Sequence, residues 1–299
     1  LLPNTVKVIR VSRIEDIREA IRLLRVRGAP AIGVCAGYGI ALTASRIATD
    51  DPLVFCEEFL KQKAYLASAR PTAVNLFWAL DRMERTLRAH LDRPVPAIKE
   101  ILFAEAQAIR DEDVSISRRI GEIGFGLLRH GSGILTHCNA GTLATAKYGT
   151  ATAPIYIARE RGWTDLRVYC DETRPLLQGA RLTAFELHSA GIDTTLICDN
   201  MASITMKRGL IDIIFVGCDR VARNGDTANK IGTSGVAILA RHYGIPFYVC
   251  APSSTIDMSL ETGDQIPIEE RAPEEVTEMW YSQRMAPEGI RVCNPAFDI

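Results

Sequence analysis

Short apolar runs in the C-terminal half of this 299-residue chain each end in polar or reactive residues. The run from Gly133 ends in His137, Cys138, Asn139 and Gly141, and the run from Leu166 in Asp171, Glu172, Thr173 and Arg174. Asp199 and Asn200 follow the run from Thr194, and Pro252, Ser253 and Ser254 follow the run from Pro246. The run from Ile211 is followed by Gly217, Cys218, Asp219 and Arg220, then by Asn224-Gly225-Asp226 and Asn229-Lys230. Asp, Asn and Ser favour turns and helix starts, so any one of these positions has a structural reason. A thiol, several carboxylates and a lysine along one rim form instead a set of reactive and anion-binding groups. Two further cations stand in similar settings. Arg27 precedes Gly28-Ala29-Pro30, where Gly28 permits close backbone approach and Pro30 suits a first helical turn. Arg27 can then meet an anion together with helix-terminal amides. Ser68-Ala69-Arg70-Pro71-Thr72 repeats that logic.

These groups share a rim only if the runs are parallel strands. Runs of nearly continuous hydrophobicity alternate here with helical stretches at Thr142 to Tyr148, Gln178 to Ala190, Met201 to Arg208 and Ile231 to His242. That pattern predicts a parallel sheet covered on both faces. In an open parallel sheet, ligands bind beyond the carboxyl ends of the strands. The helix expected after Asn139-Ala140-Gly141 would aim its first amides at an anion. The stretch Asn224 to Ser234, with Lys230, reads as a loop that grips phosphate or hydroxyl groups. From about Arg13 to Arg129 the period is helical, with Ser12 to Glu15 as a capping box and Asp111 to Arg119 extending a long helix. The expected fold is α/β: a smaller helical N-terminal domain over residues 1–128 and a Rossmann-like parallel-sheet domain over 129–299.

Composition narrows the function classes. The chain is 47% hydrophobic and 24% charged, ordinary for a globular protein with a large core. Thirty-five basic and 36 acidic residues leave a charge of -1, which argues against a nucleic-acid partner but not against a small anionic substrate. No apolar stretch approaches a membrane span, and no secretory signal is visible at the start. Eight cysteines without a C-x-x-C pair read as reduced, mostly buried thiols of a cytoplasmic protein, with no zinc site. Neither the dinucleotide G-x-G-x-x-G after a strand nor a Walker motif is present; Gly121 to Gly126 lacks the preceding strand.

The stretches VRGAPAIG, SARPTAVN, THCNAG, DETRPLLQGARLTAFEL, DNM, GCDRVARNGDTANKIGT, GIPFYV and IPIEER closely resemble the methylthioribose-1-phosphate isomerase family, in its order and spacing from about Val26 to the end. The resemblance implies an aldose–ketose isomerase of methionine salvage that converts 5-methylthioribose 1-phosphate to 5-methylthioribulose 1-phosphate. It would use no cofactor and no metal, and would work as a homodimer. It implies Cys138 and Asp219 as the catalytic pair, with substrate contacts from Arg27, Gly28, Ala29, Arg70, Gln178, Asn229 and Lys230. Cys218 departs from the small alanine usual before the acid and adds a thiol beside it. Two alternatives stand beside this reading. One is an isomerase of a related pentose 1-phosphate, ribose 1,5-bisphosphate or 5-deoxyribose 1-phosphate. The other is a non-enzymatic regulatory subunit like those of initiation factor 2B, which share the fold.

A sugar phosphorylated at its C1 oxygen cannot open its ring unaided. Something must protonate the ring oxygen, and hydrogen must move from C2 to C1. An aspartic acid is protonated near neutral pH only in an apolar, poorly hydrated place, which the run ahead of Asp219 leads one to expect. Cys138 would then act at C2 as a base, or shape a site for direct hydride shift. His137 is expected to point away from Cys138, because strand neighbours face opposite sides.

Overall fold

The computed structural model describes residues 2–71 and 73–299, so Thr72 lies outside the described residues. The chain forms two compact units. One comprises Lys7–Ser117 with Thr142–Gly149; the other comprises Arg118–Gly141 and Thr150–Ile299 with a few N-terminal residues.

The helical unit contains α1 (Ile14–Arg22), α2 (Ala29–Ala44), α3 (Pro52–Ala67) and α4 (Val74–Arg88), and α5 (Val95–Phe125) begins in it. The long fifth helix carries the charged stretch after Asp111 through without a break, and Gly121 to Phe125 form its last turns. Apolar residues at three- and four-residue steps give α1, α3 and α4 one buried face each. Ile21, Ile40, Phe55, Phe59, Leu76, Leu80, Met83, Ile98 and Leu102 from these helices and α5 meet in one core. Each such side chain, fully buried, stabilises the unit by about 1.5–3 kcal/mol. Helix α1 departs from the capping-box expectation. Its N-cap is Arg13, with no side-chain cap bond, and Glu15 pairs with Arg13 instead.

The second unit is built on β1 (Gly133–Thr136), α6 (Ala153–Glu160), β2 (Arg167–Asp171), α7 (Ala184–Ser189), β3 (Asp193–Ile197), α8 (Ala202–Lys207), β4 (Ile213–Val216), β5 (Arg220–Ala222), β6 (Thr227–Lys230), α9 (Thr233–Tyr243), β7 (Phe247–Val249), β8 (Ile256–Asp257), α10 (Glu274–Thr277) and β9 (Phe297–Asp298). Strands β3-β2-β1-β4-β7 form one parallel sheet in that order, with Ile134 paired to Val168 on one side and to Ile213 on the other. Central β1 and β4 are buried along their whole length, which is why their sequences are apolar without alternation. The chain steps outward from β1 to β2 and β3, then returns to β4 on the opposite side of β1. That reversal makes the carboxyl ends of β1 and β4 the switch point where open parallel sheets bind ligands.

Two expectations fail in this unit. Thr142 to Tyr148 is not a helix; it makes a single 3-10 turn, Thr142–Ala144, and the crossover helix begins only at Ala153, with Pro154 in its first turn. Asn224 to Ser234 is not a simple loop. Strands β5 and β6 form an antiparallel hairpin across Asn224-Gly225, flanked by β8 and β9 in a second, four-stranded sheet. Its strands span two to four residues each, too short for alternation to show in the sequence. Among the described residues, no helix is long and apolar enough to cross a membrane.

Candidate active site

Cys138 lies two residues beyond β1, after His137, and is 9% exposed. Its backbone turns into the left-handed region, φ 65°, which an L side chain adopts only when neighbours hold it. Two threonines do so. The Cys138 N–H donates to Thr173 Oγ1 at 2.8 Å, and the Cys138 carbonyl accepts from Thr183 Oγ1 at 2.6 Å. Thr173 is held in turn: its hydroxyl donates to the Asp171 carbonyl, and its N–H donates to Asp199 Oδ1 at 2.7 Å. Thr183 closes a π-turn, Gly179–Thr183, that leads into α7, and such turns recur at functional sites. Sequence reading singled out Cys138 but not Thr183, since nothing in sequence order relates residues this far apart.

Asn139 and Gly141 do not form the expected anion cradle, because no helix starts there. The Asn139 amide is buried and donates to Thr183 Oγ1 and to Glu186 Oε1 at 2.7 Å, which ties the segment after β1 to the π-turn and α7.

Asp219 lies beyond β4, the neighbour of β1, so acid and thiol leave the sheet at the carboxyl ends of adjacent strands. The Asp219 N–H donates to the Ala228 carbonyl at 2.9 Å, which ties the acid to the strand carrying Asn229 and Lys230. The apolar, poorly hydrated setting expected for Asp219 is not observed. Phe215 and Val216 are wholly buried, but the chain leaves the interior through Gly217, and Asp219 is exposed. Burial acts on Cys218 instead, raising its thiol, with the charge of Asp219 adding to the shift. A thiol held protonated is a poor nucleophile, so Cys218 is chemically quiet beside the acid.

Asn229 and Lys230 are both buried. The Asn229 amide donates to Thr233 Oγ1 at 2.9 Å. The Lys230 ammonium stands 5.2 Å from the Phe297 ring centroid, and among the described residues no carboxylate pairs with it. A buried cation without a carboxylate partner favours an incoming anion. Gln178 ends the loop after β2. It is 6% exposed, and its Oε1 has no partner among the described residues, an acceptor open to a ligand hydroxyl.

His137 is buried between two elements. Its Nδ1 lies 3.0 Å from Asp171 Oδ2 and its Nε2 2.9 Å from the Ile231 carbonyl. That carbonyl only accepts, so Nε2 carries a proton. Burial opposes charge on the ring, but Asp171 outweighs it and raises the imidazole pKa; burial raises the Asp171 carboxyl. Both shifts retain the proton between them. His137, Asp171 and Asp199 bring ligand atoms within 4.8 Å of one another, yet both ring nitrogens and both Asp199 oxygens already have protein partners.

The remaining expected contacts belong to the helical unit. Arg27 and Ala29 are half-buried at the start of α2, whose first turn holds Pro30 and no acidic residue. Gly28, φ 84°, caps this helix. A Cβ there would stand 2.5 Å from Ala144 Cβ, so only glycine admits the turn that the chain makes shortly after Cys138. Arg70 is half-buried between α3 and α4, and its carbonyl accepts from Ala73 N–H.

Residues 25–299 match the model of the initiation factor 2 subunit family. A methylthioribose-1-phosphate isomerase from Symbiobacterium thermophilum is 67% identical over all of this chain and 83% of its own length. A 5-deoxyribose 1-phosphate isomerase from Moorella thermoacetica is 56% identical, over all of this chain and 85% of its own. The crystal structure of 5-methylthioribose 1-phosphate isomerase from Pyrococcus horikoshii OT3 has a similar fold, with TM-score 0.94 and 47% identity, covering 99% of this chain and 82% of that one.

Proposed function

The chain belongs to the initiation factor 2 subunit family, among its sugar-phosphate isomerases, and from that premise we propose that it converts 5-methylthioribose 1-phosphate to 5-methylthioribulose 1-phosphate in methionine salvage. The observation that carries this reading is the pairing of a thiol and a carboxyl group at the ends of adjacent central strands, with buried Lys230 on the hairpin that follows the acid.

Asp219 gives its proton to the ring oxygen, and the bond from C1 to that oxygen breaks. Hydrogen then moves from C2 to C1, and the 2-hydroxyl loses its proton as C2 becomes a carbonyl. That proton restores the acid, so atoms and charge balance. Cys138 acts at C2. Deuterium placed at C2 separates its two possible tasks: washout into water marks proton removal by the thiolate, and retention at C1 marks hydride shift. Because Asp219 is exposed in the free chain, the bound sugar itself must displace water from the acid before it can stay protonated near neutral pH. Lys230 and Asn229 hold phosphate and sugar oxygens, Gln178 Oε1 accepts from a sugar hydroxyl, and Arg27, Gly28, Ala29 and Arg70 supply the contacts of the helical unit. The protein works as a cytoplasmic homodimer, which light scattering tests by a mass twice that of the chain.

The deoxyribose relative supports a second substrate. At C5 the two sugars differ by a methylthio group in place of a hydrogen, a small apolar increment worth about 1–3 kcal/mol in a pocket. Product ketose followed by NMR with 5-methylthioribose 1-phosphate, 5-deoxyribose 1-phosphate and ribose 1,5-bisphosphate tests the proposal. The first should turn over fastest, the second within roughly 200-fold of it. Faster turnover of the second would reassign the substrate, and no ketose from any of the three would favour the regulatory-subunit reading.

A further inference from the structure

The His137 ring joins two parts of the site that lie far apart in sequence. Its own backbone links β1 to Cys138. Its Nε2–H donates to the carbonyl of Ile231, the residue after Lys230. Its Nδ1 faces Asp171 at the end of β2, and the ring is 1% exposed. The turn on the far side is shaped to receive it. Gly232, φ 102°, lies where any Cβ would stand 2.9 Å from the ring Cε1. Asp298 secures the same turn from β9, accepting from Gly232 N–H at 2.7 Å and Ser234 N–H at 3.0 Å. The backbone on either side of Lys230 is therefore paired to β9, and the carbonyl just beyond it is pinned to the residue before Cys138.

We propose that His137 is a positioning residue: through the Ile231 carbonyl it fixes Lys230 relative to Cys138, so that bound phosphate and the thiol keep one spacing. This rests on the reading that Lys230 holds the substrate's phosphate. Asp171 sets the ring's orientation, and the Ile231 carbonyl is the part that reaches the phosphate grip.

Inorganic phosphate serves as the probe, with kcat for 5-methylthioribose 1-phosphate measured alongside. His137→Gln keeps an amide donor near the Nε2 position, whereas His137→Asn keeps a polar atom only near Nδ1. Loss of the bond to Ile231 should raise the phosphate Kd of His137→Asn roughly tenfold and lower kcat, while His137→Gln stays within roughly threefold on phosphate. Equal phosphate affinity in both variants, whatever their melting temperatures, overturns the proposal. Lys230→Met keeps the two readings distinguishable. If it binds phosphate like the unmodified protein, the phosphate reading fails and this inference with it. If it loses phosphate while His137→Asn does not, only the inference fails. Should the variants not fold, phosphate added to the unmodified protein with labelled histidine should shift the His137 Nε2–H resonance and leave that of His130 in place; an unmoved His137 resonance contradicts the proposal.

Discussion

At the scale of single residues, the thiol is held by its backbone. Left-handed geometry at Cys138 costs on the order of 1–3 kcal/mol, and the hydroxyls of Thr173 and Thr183 offset it by satisfying the N–H and the carbonyl. Thr183→Val keeps the shape but removes the donor. It should lower kcat roughly tenfold with a small change in KM, and Thr183→Ser should restore most of it; steady-state kinetics on the two variants decides. The positions of Cys138 and Asp219 after apolar runs, and of Lys230 in the polar stretch from Asn224 to Ser234, were legible in the sequence, their roles only through the family motifs. Thr183 and the tie from His137 to Ile231 were not, since they join residues whose proximity arises only from the fold. The dry surroundings expected of Asp219 were misread for a related reason. The buried run before it fixes the strand, and says nothing of where the chain points after Gly217.

At the scale of elements, the helical stretches expected at Gln178 to Ala190, Met201 to Arg208 and Ile231 to His242 hold α7, α8 and, but for its last residue, α9, and α5 runs through its charged stretch, whereas α6 and the hairpin of β5 and β6 lie outside the sequence reading, the hairpin because its strands are shorter than one clear alternation. The 3-10 turn at Thr142–Ala144 was mistaken for a helix because Asn139-Ala140-Gly141 mimics a helix start. That turn depends on Gly28. Gly28→Ala places a methyl against Ala144 in a backbone conformation that alanine resists, and should destabilise the protein by about 1–3 kcal/mol, read as a lower midpoint in urea. Charge ties the helices as well. Glu84 of α4 binds Lys63 of α3 and Arg88 of its own helix, and Glu112 of α5 binds Arg82 of α4; these bonds hold both carboxyls below the usual value of 4.5. A lowered folded-state pKa gives stability that is complete above 4.5 and is lost as pH falls through the lowered value. Thermal melts should therefore fall in Tm below about pH 4.5, more gently in Glu84→Gln than in the unmodified protein.

At the scale of the whole molecule, strand order does the work that no single motif does. Because the winding order of the parallel sheet reverses at β1, the residues that follow β1 and β4, Cys138 and Asp219 among them, stand at the switch point where open parallel sheets bind ligands. The family and its isomerase chemistry were readable from motifs spread along the chain, while the parallel sheet was readable from apolar runs alone; the second sheet, which carries Lys230, needed the structure. The most direct measurement of the central claim is turnover of 5-methylthioribose 1-phosphate by Cys138→Ser and Asp219→Asn, with inorganic phosphate binding measured on the same samples. Each variant should lose at least roughly hundredfold in kcat while binding phosphate as before. Ketose formed at near the unmodified rate by either one would contradict the assignment of thiol and acid to the reaction.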